Sequence, residues 1–333
     1  MREPRVAIAG ATGMVGQEFM RILDQRDFPL ASLRLLASER SRGRSFDYRG
    51  ETLPVQVLDE KSFDGIDIAL FSAGGSISRT YGPVAAESGA VVIDNSNAWR
   101  MEADVPLVVP EVNPGEAFKH KGIIANPNCS TIQMVVVLDA LHRAYDLERV
   151  VVTTFQSVSG TGKNAVEELK QQIRDVEEGR PVTSEVYPHQ IAYNCLPHID
   201  VFLENGYCRE EQKMIDETRK IMGLPGLLIT ATTVRVPVFV GHSESINCQF
   251  RKPVEPEGAR ELLRHAQGIE VVDDPAENLY PLAIDCEGKD ASYVGRIRKD
   301  YSASNALNLW VVSDNLRKGA ALNAVQIAEL LLD

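Results

Sequence analysis

The sequence predicts a doubly wound parallel α/β domain followed by an α+β domain with a mostly antiparallel sheet. Three observations predict it. Short apolar runs alternate with helical patterns through the first third of the chain, a glycine-rich turn joins the first strand to the first helix, and beyond Cys129 the strand runs lengthen and fill with Val, Thr and Ile. In order, residues 5–9 read as a buried parallel strand, followed by Gly10-Ala11-Thr12-Gly13-Met14-Val15-Gly16 and a helical pattern through Phe19, Met20, Ile22 and Leu23. Strands follow near Leu33–Ala37 and Ile66–Phe71, a helix around Ser78–Ser88, and a strand at Val91–Ile93. In the second half, strands are expected at Val150–Val158, Leu228–Val236, Ser245–Arg251, around Tyr293–Ile297 and at Ala306–Val312. Helices fall between them near Asn164–Val176, Glu210–Met222 and Glu257–Gln267. Leu316–Leu332 reads as one buried helix packed back on the first domain, so the domains are expected at residues 1–128, completed by 316–333, and 129–315.

At 333 residues the chain is long for one core, in keeping with two domains. A formal net charge of −12 argues against a nucleic-acid or anionic-membrane partner but not against an anionic substrate, which local cations decide. The sequence enters a strand soon after Met1 and carries no apolar run near the roughly 20 residues a membrane span needs, so a cytoplasmic protein is expected. The five cysteines (129, 195, 208, 248, 286) are scattered without a Cys-x-x-Cys pair, which is neither a disulfide framework nor a zinc pattern; no metal site is expected.

Gly10, Gly13 and Gly16 supply what a dinucleotide demands of a strand-to-helix turn: a tight bend, room for pyrophosphate against the backbone, and close helix–strand packing. The second strand ends in Ala37-Ser38-Glu39-Arg40-Ser41-Arg42. An NAD site favours an acidic residue there, whereas guanidinium and hydroxyl donors suit a 2′-phosphate, so NADP is the favoured cofactor, with a plain solvated charged loop as the other reading.

Cys129 closes Asn126-Pro127-Asn128 and opens a helical pattern (Ile132, Val135, Val136, Leu138). A thiol at a helix N-terminus lies at the positive end of the peptide dipoles, which favours the thiolate and hence a nucleophile. A nucleophilic thiol in a chain that binds a nicotinamide points to aldehyde or acyl chemistry through a thioester, and such a thiol needs a proton partner. Among six histidines His242 fits best, in Val240-Gly241-His242-Ser243-Glu244 between two strand runs. Arg100 closes a polar stretch after a strand of the first domain. Arg235, inside the apolar run Thr233-Val234-Arg235-Val236-Pro237, needs an anionic partner, either a structural carboxylate or a substrate carboxylate. Glu210 and Lys213, three apart on a helix, share a face and by themselves read as an ordinary solvated pair.

With those residues in hand, the chain resembles the aspartate-semialdehyde dehydrogenases of bacterial type from end to end. The resemblance is carried by residues 10–16 and 126–131, by Phe155-Gln156-Ser157-Val158-Ser159-Gly160-Thr161-Gly162, by Arg235-Val236-Pro237-Val238 and by Gly241-His242-Ser243-Glu244. It implies a Rossmann-type domain and a catalytic and dimerisation domain of the glyceraldehyde-3-phosphate-dehydrogenase kind. It further implies Cys129 as nucleophile, His242 as acid/base with an imidazole near its unperturbed pKa that can give and take a proton at neutral pH, Gln156 positioning the thioester, and Arg235 and Glu210 on the substrate carboxylate and ammonium. Arg100 and Lys213 are implied as a phosphate clamp, and Gly10, Thr12, Gly13, Met14, Val15, Arg40, Ser41, Ser159, Gly160 and Asn315 as NADP contacts. The implied reaction interconverts L-4-aspartyl phosphate and L-aspartate 4-semialdehyde with NADPH, in a homodimer serving lysine/diaminopimelate, methionine, threonine and isoleucine biosynthesis. Two alternatives stand beside it. An N-acetyl-γ-glutamyl-phosphate reductase shares the reaction logic but sets its cysteine in a different context, and a non-catalytic NADP-binding sensor would have no use for the thiol, imidazole and cations together.

Overall fold

The computed structural model describes residues 3–332; Met1, Arg2 and Asp333, which the expected domain bounds include, lie outside them. The chain divides into two compact units, residues 1–128 with 320–333 and residues 129–319. The first comprises β1 (Arg5–Ala9), α1 (Met14–Gln25), β2 (Ser32–Ala37), β3 (Ser45–Tyr48), β4 (Glu51–Val57), β5 (Ile68–Phe71), α2 (Gly75–Glu87), β6 (Val91–Asp94) and β7 (Ile123–Ala125). These strands form a seven-stranded sheet, β3-β4-β2-β1-β5-β6-β7, parallel except for edge strand β3, which runs antiparallel to β4. The chain leaves β1 toward β2 and later returns to β1's other side as β5, so the sheet has its switch point there.

The second unit comprises α3 (Cys129–Tyr145), β8 (Leu147–Gln156), α4 (Lys163–Glu177), α5 (Arg209–Met222), β9 (Leu228–Arg235), β10 (His242–Phe250), α6 (Pro256–Arg264), β11 (Ile269–Val271), the short α7 (Ala283–Cys286), β12 (Ser292–Lys299) and β13 (Ala306–Ser313). Its six-stranded sheet runs β11-β12-β13-β10-β8-β9, antiparallel through the middle and parallel at the outer pairs β8–β9 and β11–β12. The register sorts the sheet by depth. Ile246, Val152 and Ala231 lie side by side as an apolar row, and the next row toward one end holds Glu244, Thr154 and Thr233. At that end β8 finishes with Gln156 beside Arg235 of β9, and β10 starts with His242 opposite Ser313 of β13. Apolar residues thus bury the middle of the sheet while its end presents polar side chains.

The last helix, α8 (Leu322–Leu330), packs Leu322, Val325 and Ile327 into the same core as Val6, Ile8, Phe19, Ile68 and Leu70 of the first unit. It is shorter than the single helix expected over Leu316–Leu332, because residues Arg317–Ala321 form a π-helical turn. There the Asp314 carboxylate accepts the Leu316 and Arg317 backbone N–H groups and its carbonyl accepts that of Gly319. Arg235 is the last residue of β9 rather than an interior one, since Pro237 has no N–H to extend the ladder. Strands β3, β4, β7 and β11 were not anticipated. β3 and β4 pair as a hairpin whose residues are largely exposed, and β7 is three residues long. Among the described residues no helix is long and apolar enough to cross a membrane.

Candidate active site

In the first unit the glycine turn has no room for a side chain at Gly10 or Gly16. Gly10 has φ +91°, and a Cβ there would stand 2.3 Å from the Ser72 carbonyl oxygen in the turn after β5; one on Gly16 would stand 2.2 Å from the Gly10 oxygen. The two crossover loops at the switch point therefore touch backbone to backbone. Gly13 caps α1 without a side-chain hydrogen bond, and Met14 and Val15 begin the helix, so backbone N–H groups and the positive helix end are offered to a ligand. Thr12 Oγ1 lies 3.3 Å from Ser41 Oγ, which ties the glycine turn to the loop after β2. In that loop Arg42 is paired with Glu39, whereas Arg40 is exposed and makes no ion pair or hydrogen bond among the described residues. These features fit a dinucleotide.

Arg100, also in this unit, is buried and gripped by carbonyls: its Nε donates to Asn126 O (2.9 Å) and Nη2 to Asn95 O (2.8 Å). Asn126 is held in turn by Asn323 of α8 (2.7 Å). The segment carrying Arg100 starts at Asp94, which is fully buried. Its Oδ1 accepts the Ser96 N–H (2.6 Å) while Oδ2 has no partner among the described residues. Burial pushes the Asp94 carboxyl from 3.8 up to about 6, against the pull of Ser96 and Arg100. The folded state therefore resists the charged form, a destabilisation present above pH 6 that fades as pH falls toward 3.8. Asp94→Asn keeps the acceptor and deletes the charge. It should raise stability at pH 8 by about 1–3 kcal/mol, with the gain vanishing near pH 4; urea unfolding at both pH values checks this.

In the second unit, Cys129 is the first residue of the 17-residue helix α3. Gly319 packs so closely on it that a Cβ at 319 would stand 2.9 Å from Cys129 Cβ. One turn along the helix, Gln133 Nε2 donates to the His242 carbonyl (3.3 Å), joining the cysteine's helix to the histidine's strand. His242 is fully buried. Its Nδ1 accepts the Ser157 backbone N–H (3.1 Å), and a backbone N–H can only donate. The neutral ring must then carry its proton on Nε2, which has no partner among the described residues. Burial first, and the Arg235 guanidinium second, push His242 well below its ordinary pKa. This corrects the sequence-based expectation of an imidazole near its unperturbed pKa: desolvation and a neighbouring cation both penalise the charged ring. Gly160 stands over this group, with a Cβ there 3.1 Å from Arg235 Nη1 and 3.2 Å from His242 Nε2.

Arg235 decides a question the sequence left open. Its guanidinium is buried, donates from Nη1 to Ser157 O (2.6 Å), and lies over the Tyr187 ring, but no carboxylate pairs with it among the described residues and its Nε is unpartnered. A buried arginine without an anion is expensive. Gln156 Nε2 lies 3.3 Å from both Glu210 Oε1 and Thr154 Oγ1. Glu210, in the first turn of α5, receives Lys213 Nζ at 3.2 Å, and Lys213 also meets Asp200 at 2.9 Å. Glu211 faces elsewhere, closing the cap of α5 and accepting the Thr233 N–H.

Asn315 is a hub. Its Oδ1 accepts from Gly241 N, Ser157 Oγ and Ser159 Oγ at 2.9–3.1 Å, fixing the loops on either side of His242. The sequence reading passed over Ser157, Asp200, Glu244 and Gly319. Ser157 lies within the Phe155–Gly162 motif and Glu244 beside His242, so the signal was there for those two. Burial pushes the Glu244 carboxyl well above the ordinary carboxylate range in the row behind His242.

Comparison with known proteins accords with this arrangement. Residues 5–120 match the family model described as semialdehyde dehydrogenase, NAD binding domain, and residues 138–318 that described as semialdehyde dehydrogenase, dimerisation domain. Aspartate-semialdehyde dehydrogenase of Aquifex aeolicus is 56% identical over 98% of both chains. A crystal structure of aspartate semialdehyde dehydrogenase II from Vibrio cholerae, complexed with ASA, is 47% identical with a TM-score of 0.97, covering 100% of this chain and 99% of that one. The Candida albicans enzyme, in a structure with NADP, is 25% identical with a TM-score of 0.77 over 99% of each chain.

Proposed function

We propose a reaction from one premise: the chain belongs to the aspartate-semialdehyde dehydrogenase family, and so is an oxidoreductase with an NAD(P)-binding domain. The reaction is the reductive dephosphorylation of L-4-aspartyl phosphate to L-aspartate 4-semialdehyde, run by a cytoplasmic homodimer in biosynthesis of the aspartate-derived amino acids. The observation that carries it is the buried Arg235 lacking a carboxylate of its own in the same unit as Cys129 and His242.

The Cys129 thiolate attacks the acyl carbon, the bond to phosphate breaks with its electron pair on the departing oxygen, and a thioester remains. Arg235 holds the α-carboxylate and Glu210 the ammonium, while Gln156, tethered to Glu210, orients the thioester. Arg100 and Lys213 hold the phosphate. NADPH, when bound at Gly10, Thr12, Gly13, Met14, Val15, Arg40 and Ser41, with Ser159, Gly160 and Asn315, supplies hydride. His242 directs its Nε2–H at the oxygen that becomes an oxyanion. The proton the hemithioacetal needs comes from the doubly protonated ring, whose Nδ1–H then donates to Ser157 Oγ (3.0 Å), and it returns to the ring as the carbonyl re-forms and Cys129 leaves. A carboxylate on Arg235 also offsets the cation that depresses His242, so substrate binding raises the ring's basicity as its proton is called on.

The test is phosphate-dependent reduction of NADP⁺ by the purified protein. Aspartate semialdehyde should support turnover, N-acetylglutamate semialdehyde should not, and NADP⁺ should give the higher kcat/KM than NAD⁺, because Arg40 is uncommitted. Turnover with the acetylated substrate instead would transfer the chain to the reductases of acetylated glutamyl phosphate.

A further inference from the structure

Lys213 is a cation already spoken for. Its Nζ lies 2.9 Å from Asp200 Oδ2 and 3.2 Å from Glu210 Oε2, with only 19% of its side chain exposed. Burial works against its charge, yet Glu210 and Asp200 outweigh burial and raise its pKa; burial likewise lifts Asp200, and Lys213 more than reverses that. Arg235, by contrast, pairs with no carboxylate among the described residues. The two cations of this unit that face the substrate are therefore unequal: one is open to an anion, and the other must surrender one.

Glu210 is needed by the substrate ammonium and is held by Gln156, so it stays where it is. Asp200 is the partner that can let go. It is 27% exposed in its side chain and lies in a connection rather than a helix or strand, and Arg209 Nη1 stands 3.7 Å from its other oxygen, ready to take its charge. We propose that Asp200 sets the affinity for phosphate by competing with it for Lys213. This rests on the reading of Lys213 as a phosphate ligand. Each phosphate that binds displaces a carboxylate from the same ammonium, so part of its Coulomb gain is lost to the pair it breaks. Release of inorganic phosphate after the thioester forms is helped by the same exchange, because Asp200 closes back on Lys213.

Asp200→Asn isolates the effect. Asp200 has φ +70°, a conformation asparagine tolerates best among non-glycine residues, and its Oδ1 accepts the Val201 N–H (2.9 Å), a bond the amide oxygen retains. Only the charge is lost, and the amide N–H₂ turns a donor toward Lys213. Initial rates in the phosphorylating direction, with NADP⁺ and aspartate semialdehyde saturating and inorganic phosphate varied, should give a phosphate KM about threefold or more below that of the parent. The KM for aspartate semialdehyde should stay put. Damage to the fold would not tighten phosphate, so a gain separates competition from a structural role, and Asp200→Gly, suited to the same φ, repeats the measurement. Lys213→Met is the companion. If it raises the phosphate KM while both Asp200 variants leave that KM unchanged or raise it, competition is refuted and the clamp stands. If Lys213→Met leaves it unchanged, the clamp falls and the competition with it.

Discussion

Cys129→Ala should cut turnover by at least about 10⁴-fold while leaving NADPH binding intact. The expectation follows from the covalent route, since without sulfur there is no thioester, and neither His242 nor Gln156 offers a replacement nucleophile. The loss should be chemical rather than structural. The close packing of its Cβ on Gly319 is one alanine retains, and alanine is a better helix former than cysteine at the start of α3. The glycine turn and Arg40 lie in the other unit, so quenching of tryptophan fluorescence by NADPH should titrate as in the parent. Three of the other four cysteines are excluded by their surroundings. Burial raises Cys248 far above the ordinary thiol range and Cys286 to about 12, which keeps both inert, and Cys208 is spent in the cap of α5. A single-turnover experiment with aspartyl phosphate should show no phosphate burst in the variant. A burst, or dehydrogenase activity within a hundredfold of the parent, would mean the nucleophile lies elsewhere.

How much of this was legible beforehand depended on whether a residue's job is local. The glycine turn and the loop before Cys129 are written in consecutive residues, because backbone shape and helix polarity are local properties, whereas β10 starts at His242, three residues ahead of the expected Ser245. The long second-unit strands were legible from their Val, Thr and Ile content. By contrast, β3 and β4 are largely exposed and carry little apolar periodicity, and the π-helical turn at Arg317–Ala321 depends on Asp314 reaching back to several N–H groups. The site divides the same way. Glu210 and Lys213 read as a solvated pair, and nothing in a linear sequence says that Asp200, thirteen residues before Lys213, closes on that ammonium. The state of His242 was misjudged for the same reason: its depressed pKa comes from burial beneath the sheet end and from Arg235 on another strand, both products of register. Arg235 was the converse case. An arginine in an apolar run announced a need, and only the folded chain could show that no internal carboxylate meets it.

That unmet need makes Arg235→Lys the more discriminating substitution, because it preserves the charge. The guanidinium is fixed from two sides, by Nη1 to the Ser157 carbonyl and by the Tyr187 ring 6.0 Å from its Cζ, which leaves a planar edge to meet a carboxylate. An ammonium has one nitrogen. If it keeps the Ser157 carbonyl it loses the bidentate grip, and if it turns to the substrate it orphans that carbonyl. The kcat/KM for aspartate semialdehyde should fall about 10²–10³-fold, roughly 3–4 kcal/mol, with much of the loss in kcat, since a carboxylate held loosely misplaces the reacting carbon. The KM values for NADP⁺ and phosphate should barely move. Arg235→Leu supplies the electrostatic half of the argument. Removing the cation takes away one of the two causes that depress His242, so the ring's pKa should rise toward its ordinary value though burial still holds it low, which an imidazole NMR titration would read directly. A lysine variant with near-parental kcat/KM would show that the arginine is a structural fixture, and the carboxylate of the substrate would then have to be sought at another cation.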